Sequence, residues 1–193
     1  MIENEKTVVQ SHLNKARDDK FLMVFDIPPM LKGSNRVTES NINKDTQNRD
    51  SVQFAIYGTA VPEITIPATE TRYAGNTFYV SSHAKAAYPP VSVKFNVDSR
   101  YTNYWTIYRW LDLLHDEYEG RFNADEHPTD VIGDYKIPIT VYGLDENNNK
   151  VIEFLYTDAF PISINNIEFD YQNGNEIVSG FTFVYSQIHV KPI

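Results

Sequence analysis

The sequence predicts a mainly β protein, and three observations carry the prediction. Thirteen Tyr, eleven Phe and two Trp stand among many Val, Ile and Thr residues, a mixture that suits pleated, half-buried surfaces better than helix faces. Short segments alternate apolar and polar residues, most cleanly Val91-Ser92-Val93-Lys94-Phe95-Asn96-Val97, which is the period of a strand with one face buried. Helical spacing stands out in one stretch only, 102–119.

Taken in order, the first twenty residues carry mixed charges around Leu13 and form either a short helix or a loose arm, since termini are poorly ordered unless docked. A strand is expected at 21–27, stopped by Pro28-Pro29, because proline cannot donate to a ladder. Residues 30–50 turn polar with no hydrophobic period, so a long loop or flexible hairpin is expected there, of a length that tends to be functional or disordered. Strands are expected again at 52–58 and, between Pro62 and Pro67, at 61–66. Arg72 to Val80 places Gly75-Asn76 between aromatic flanks, a hairpin signal.

Asp98-Ser99 offers N-cap side chains. Beyond it Tyr104, Ile107, Tyr108, Leu111, Leu114 and Tyr118 recur at spacings of three and four up to Gly120, which predicts a helix with that stripe inward. Trp105 and Trp110 fall off the stripe, so a second face of the helix is open to burial. Ile137, Ile139 and Val141 alternate, Asp145 to Asn149 reads as a polar hairpin tip, and 151–156 returns. In 160–169 the apolar phase slips by one at Asn165-Asn166, as a β-bulge would cause. Asn173-Gly174 reads as a hairpin turn leading into a long final strand, 177–190.

Composition narrows the function classes. With 193 residues, one domain fits and two would be cramped. There is no cysteine, which removes disulfides, thiolate nucleophiles and cysteine-held zinc. No apolar run reaches membrane-spanning length, and the start lacks the basic-then-apolar order of a secretory signal, so synthesis and folding in a cytoplasm are expected, without membrane insertion. Residues 1–50 balance eight basic against eight acidic side chains, so the net charge of −9 sits entirely in 51–193. Tight nucleic-acid binding needs a basic stripe, and none is present.

The motif-borne chemistries find no support: there is no nucleophile elbow, dinucleotide fingerprint, phosphate loop or His-Glu-x-x-His spacing. We therefore expect no catalytic residues, no cofactor-binding residues, no metal ligands and no cofactor. His115 and Glu119 form an i,i+4 pair, but a structural metal site wants about four ligands. The acidic run Asp112, Asp116, Glu117, Glu119, Asp125, Glu126, Asp130 and Asp134 lacks the order of a calcium loop. It reads as a solvated loop, an electrostatic interface or, less simply, a cation or hydrolase site. Tyr101, Tyr104, Trp105, Tyr108 and Trp110 invite a sugar-binding reading against one of core packing.

Three stretches together resemble the tail-tube family of contractile-tailed phages, whose fold is shared by type VI secretion tube proteins and tube initiators. They are Phe21 to Ile27 followed by Pro28; Pro89 to Ser99 leading into the Tyr/Trp-rich helix 102–119; and Ala159 to Phe169 with Phe181 to Ser186, similar to the family's paired closing strands. The long segments 30–50 and 120–134 depart from that pattern and leave tube subunit, tube initiator and tail hub open. The resemblance implies a β-sandwich or half-barrel with one flanking α-helix, a domain at 21–193 behind an N-terminal arm at 1–20, and a non-enzymatic structural virion protein. Its implied partners are identical copies closing a ring of six, adjacent tail or hub proteins, and DNA passing through the lumen without specific binding. A ligand- or carbohydrate-binding β-sandwich is the alternative.

Overall fold

The computed structural model describes residues 15–32, 49–50, 52–53, 55–114, 135–172 and 174–193. Nine strands and two helices are defined within them: β1 (Phe21–Phe25), α1 (Pro29–Lys32), β2 (Ile56–Thr59), β3 (Ala68–Tyr73), β4 (Asn76–Ser81), β5 (Val91–Asn96), α2 (Thr102–Leu114), β6 (Ile137–Leu144), β7 (Lys150–Ile164), β8 (Val178–Val184) and β9 (Gln187–Pro192). Every strand pairing is antiparallel. The chain is thus mainly β, as its composition and periodicity predict.

The architecture turns on one long strand. The first ten residues of β7 pair with β6, which pairs with β1, while β9 lies along the other margin of β7 at 152–157. The last five residues of β7 leave β6 behind and pair with β8, which continues to β5 and β2. Two four-stranded layers therefore share β7. The corner is made by two register shifts: Ile137 faces Ala159 but Ile139 faces Tyr156, and Pro161 faces Phe183 but Ser163 faces Thr182. Each leaves extra residues on β7, and Asp158 takes a left-handed conformation (φ 52°) at the first. Such bulges bend a strand and increase its twist.

The long final strand expected at 177–190 is present as β8 and β9, divided at Tyr185-Ser186 directly across from that kink. The Ser186 amide still donates to the Thr157 carbonyl at 2.9 Å, so the ribbon with β7 is continuous. The expected bulge at Asn165-Asn166 is corrected: β7 ends at Ile164, and the bulges lie at Ile162 and at Thr157-Asp158. The turn expected at Asn173-Gly174 involves Asn173, which lies outside the described residues; the flanking strands end at Ile164 and begin at Val178.

Inward residues of both layers form one core. Met23, Val141, Tyr156 and Ile188 from the first layer meet Val93, Phe95, Phe181 and Phe183 from the second. Tyr156 packs edge-on against Phe183 (centroids 5.4 Å) and Tyr185 (4.9 Å), a geometry that adds to plain burial. Gly180 is fixed by close approach: a Cβ there would lie 2.6 Å from the Val93 carbonyl oxygen.

The helix α2 closes the core from one flank, and its cap is the expected one. Asp98 accepts from the Arg100 and Thr102 amides at 2.9 Å each and from the Asn103 amide at 3.3 Å. Buried Asn103 donates to the Asn96 carbonyl at 2.8 Å, which ties the helix start to the end of β5. The expected stripe is rotated, however. Among its described side chains Ile107 and Trp110 are the apolar residues fully buried, Tyr108 is exposed, and the Trp110 indole N–H donates to the Tyr135 carbonyl at 3.0 Å. Residues 115–119 of the expected helix, with Tyr118, lie outside the described residues.

Two expected strands are corrected. Val52, Gln53 and Ala55 are helical, and strand structure begins only at Ile56; Val52 and Ile56 are four apart as well as an even number apart, so both periods fit so short a segment. Val52 is buried, and the Gln53 side-chain amide donates to the Phe25 carbonyl. Residues 61–66 form no strand and are exposed apart from half-buried Pro62, held on one side by the Ala86 amide donating to the Thr65 carbonyl. The expected long loop opens and closes in helical turns at Pro29–Lys32 and at 49–50, with 33–48 outside the described residues.

Candidate assembly surface

Antiparallel pairing satisfies a strand on both margins only if it has two neighbours. Among the described residues, β1 pairs with β6 alone, β9 with β7 alone and β2 with β5 alone. Beyond Ala159 the margin of β7 facing away from β8 is also unpaired, and Pro161, which has no N–H to leave unsatisfied, stands in that stretch. Among the described residues each layer thus ends in open edges. Apolar side chains are exposed on these strands: Leu22 and Val24 on β1 and Val190 on β9, beside Met23, Phe25 and Ile188, which line the core.

A second feature projects from this body. β3 and β4 form a separate two-stranded sheet whose twelve residues are all exposed. Its turn is Ala74-Gly75, one residue earlier than the expected Gly75-Asn76. Both turn residues have positive φ (50° and 79°), the two-residue geometry whose twist matches antiparallel strands. Tyr73, Phe78, Tyr79 and Val80 lie on this hairpin in open solvent. Sequence reasoning found the hairpin but not its isolation, because local periodicity does not say whether a strand pair has a body to pack on.

The residues weighed for chemistry separate. Trp110 is buried and Tyr104 half-buried in the core side of α2, whereas Tyr101, Trp105 and Tyr108 form an outward row. Asp112 pairs with Arg109 on its own helix. His115, Asp116, Glu117, Glu119, Asp125, Glu126, Asp130 and Asp134 lie outside the described residues. Among the described residues, no three His, Asp or Glu side chains cluster so as to hold a metal ion, and no helix is long and apolar enough to cross a membrane.

Two core tyrosines have perturbed phenols. Burial pushes the Tyr156 phenol well above the ordinary tyrosine value, with the neighbouring Tyr185 adding to the effect. Tyr185 is raised in the same way, by burial first and Tyr88 second. Both hydroxyls are buried without a hydrogen-bond partner among the described residues. A cleft of about 810 Å³ does exist, walled by the connection 165–177 on one side and by Tyr57, Lys94 and Val178 on the other, with Glu168 and Glu176 among its lining.

Among the described residues the chain is an antiparallel β protein whose sheets end in unpaired margins and from which a separate hairpin projects. Its particular family is shown by sequence: the profile of the phage tail tube protein family matches residues 16–191, and the chain belongs to that family. The fold agrees. A chain of the sheath–tube complex of an extracellular contractile injection system, PVC, in the extended state superposes with a TM-score of 0.60 at 11% identity, covering 94% of this chain and 95% of that one. A chain of the tube-terminating cap of the anti-feeding prophage gives 0.58 at 12% identity, with 95% of each chain covered. A chain of the PVC sheath/tube terminator gives 0.59 at 12%, covering 94% and 99%. A comparison with curated protein sequences gives no match.

Proposed function

We propose that the chain is a non-enzymatic structural subunit of a phage virion whose copies close into a ring, six to a turn, around a pore that DNA crosses during ejection. The observation that carries this is the set of margins on β1, β2 and β9 left open among the described residues. A heterologous contact in which one copy's edge meets a different edge of the next closes into a ring and removes the edges that a lone β domain would expose to aggregation. The domain spans 21–193. The arm 1–20 and the segment 30–50 are where neighbouring rings or hub proteins engage, as polar segments can order on contact.

The net charge of −9 suits a conduit. A wall without a basic stripe releases few counterions from phosphates, so a polyanion slides without being gripped. Tube subunit, tube initiator and tail hub all fit this reading. The decisive experiment is sedimentation velocity with negative-stain microscopy of the purified chain, alone and with its tail neighbours. Annular particles or stacked tubes are expected; a chain that stays monomeric in every mixture contradicts the proposal. The outward row Tyr101, Trp105 and Tyr108 favours a second reading, a carbohydrate-binding module, which predicts glycan binding by a monomer and its loss in Trp105→Ala.

A further inference from the structure

The two layers turn unlike faces away from the core. Residues directly opposite across a ladder share a face, so the outward rows follow from the register. One row of the first layer runs Leu22, Tyr142, Glu153 and Lys191. The next runs Val24, Thr140, Leu155 and His189. Leu22 and Val24 are exposed, and Lys150 sets its ammonium 3.9 Å over the Tyr142 ring. This face mixes aliphatic side chains with charges of both signs.

The second layer differs. Its outward rows are Ser163, Thr182 and Ser92, followed by Gly180, Lys94 and Gly58. Ser92 and Thr182 share a hydrogen bond at 3.2 Å, and the Asn165 side-chain amide lies close over Gly180. Ser92, Lys94, Asn96 and Ser163 are exposed. Lys94 is the one charged residue in β2, β5, β8 and the 159–164 stretch of β7. The exposed apolar members, Ile162 and Val178, stand apart, one at the bulge of β7 and the other at the first residue of β8. Hydroxyl, amide and glycine surface therefore makes up most of this face.

A pore that a polyanion crosses needs a wall that stays wet and does not hold phosphates. Apolar constrictions dewet, and every phosphate neutralised by Lys or Arg adds counterion release to the binding. Hydroxyls and amides bond water and supply no cation. One lysine per copy falls far short of the basic stripe that a firm grip requires. The second layer meets both conditions, and the aliphatic and charged face of the first meets neither.

We infer that the outward face of β2, β5, β8 and the end of β7, centred on Ser92 and Thr182, is the wall that duplex DNA passes, and that the outward face of the first layer is turned away from the pore. This rests on the ring proposed above and adds which layer lines it.

Two measurements test it in the full chain. Because the chain has no cysteine, Ser92→Cys and His189→Cys each place a single thiol at an exposed position, one on either face. Particles are assembled first, labelled with a maleimide gold cluster and averaged in end-on views. Gold is expected in the central hole for Ser92→Cys and outside it for His189→Cys. In the second measurement, Ser92→Arg particles should shield short duplex DNA from nuclease at low salt, slowing digestion about tenfold or more relative to wild-type particles. The hold should weaken as salt rises, with a log–log slope of about −0.9 for each phosphate newly contacted. Wild-type rings that form normally overturn the inference, and leave ring formation standing, if the Ser92→Cys thiol fails to react or carries its gold anywhere but the hole, or if Ser92→Arg particles shield DNA no better than wild type. Wild-type protein that never forms a ring overturns both.

Discussion

Trp110 and Trp105 are the two tryptophans of the chain, on one helix, and the structure assigns them opposite energetic roles. Trp110 is 1% exposed and donates its indole N–H to the Tyr135 carbonyl at 3.0 Å; Trp105 is 46% exposed. A buried tryptophan removes roughly 200 Å² from water, which at about 25 cal/mol per Å² amounts to roughly 5 kcal/mol. Replacement by alanine keeps a little of this and leaves a cavity and an orphaned carbonyl. A loss of about 3–5 kcal/mol is therefore expected for Trp110→Ala, a large part of the 5–15 kcal/mol that typically separates native from unfolded states. Trp105→Ala should change stability by no more than about 0.5 kcal/mol, as for other surface positions. Urea denaturation followed by circular dichroism gives both values. Fluorescence adds an independent reading, since the protein retaining only Trp105 should emit further to the red than the one retaining only Trp110. Equal losses in the two variants, or a loss below about 1 kcal/mol for Trp110→Ala, would refute the placement of α2 and of the core it closes.

Two further variants probe the junction of the layers. Tyr156→Phe deletes a hydroxyl buried without a partner among the described residues and should be neutral or stabilising by up to about 1 kcal/mol near pH 7, because an unsatisfied polar group is costly to bury. Burial raises the Tyr156 phenol, so the folded state holds its proton to higher pH than the unfolded chain. Its contribution is present below the ordinary tyrosine value of about 10 and is lost as pH climbs above it. Urea midpoints at alkaline pH should fall less steeply in Tyr156→Phe than in wild type. Gly180→Ala would set a Cβ 2.6 Å from the Val93 carbonyl oxygen and 2.9 Å from Asn165 Nδ2. A backbone oxygen within the β5–β8 ladder has little freedom to retreat, and a loss of about 1–3 kcal/mol is expected in thermal melting.

Local chemistry made much of the fold readable. The alternation at 91–96 became a strand with its odd-numbered residues inward. Asp145 closes the β6–β7 turn by accepting from the Asn147 and Asn149 amides at 2.8 Å each, as its place at a polar tip suggested. Asp98 caps α2. What escaped was set by contacts between elements. Trp110 turned the helix away from the expected stripe that includes Tyr108, because the large indole has both a core pocket and a carbonyl to satisfy it. The true bulges left a quieter trace than the slip at Asn165-Asn166: inward Tyr156 and Ala159 are three apart, and Ile162 and Ser163 are both outward. That spacing marks the corner joining the layers. The assembly surface was least legible, since a strand segment such as Thr77-Phe78-Tyr79-Val80 looks the same whether its apolar side faces a core or solvent.

The account stands on the claim that the sheet margins are satisfied by other copies. Hydrogen–deuterium exchange on the backbone amides of β1, β2 and β9, compared between free subunits and assembled particles, addresses it directly. Outward amides on these strands should exchange fast in the free subunit and slow by about a hundredfold or more on assembly, as buried ladder bonds do, while interior amides of β5 and β6 change little. Particles in which the β1, β2 and β9 amides exchange as fast as in the free chain would contradict it.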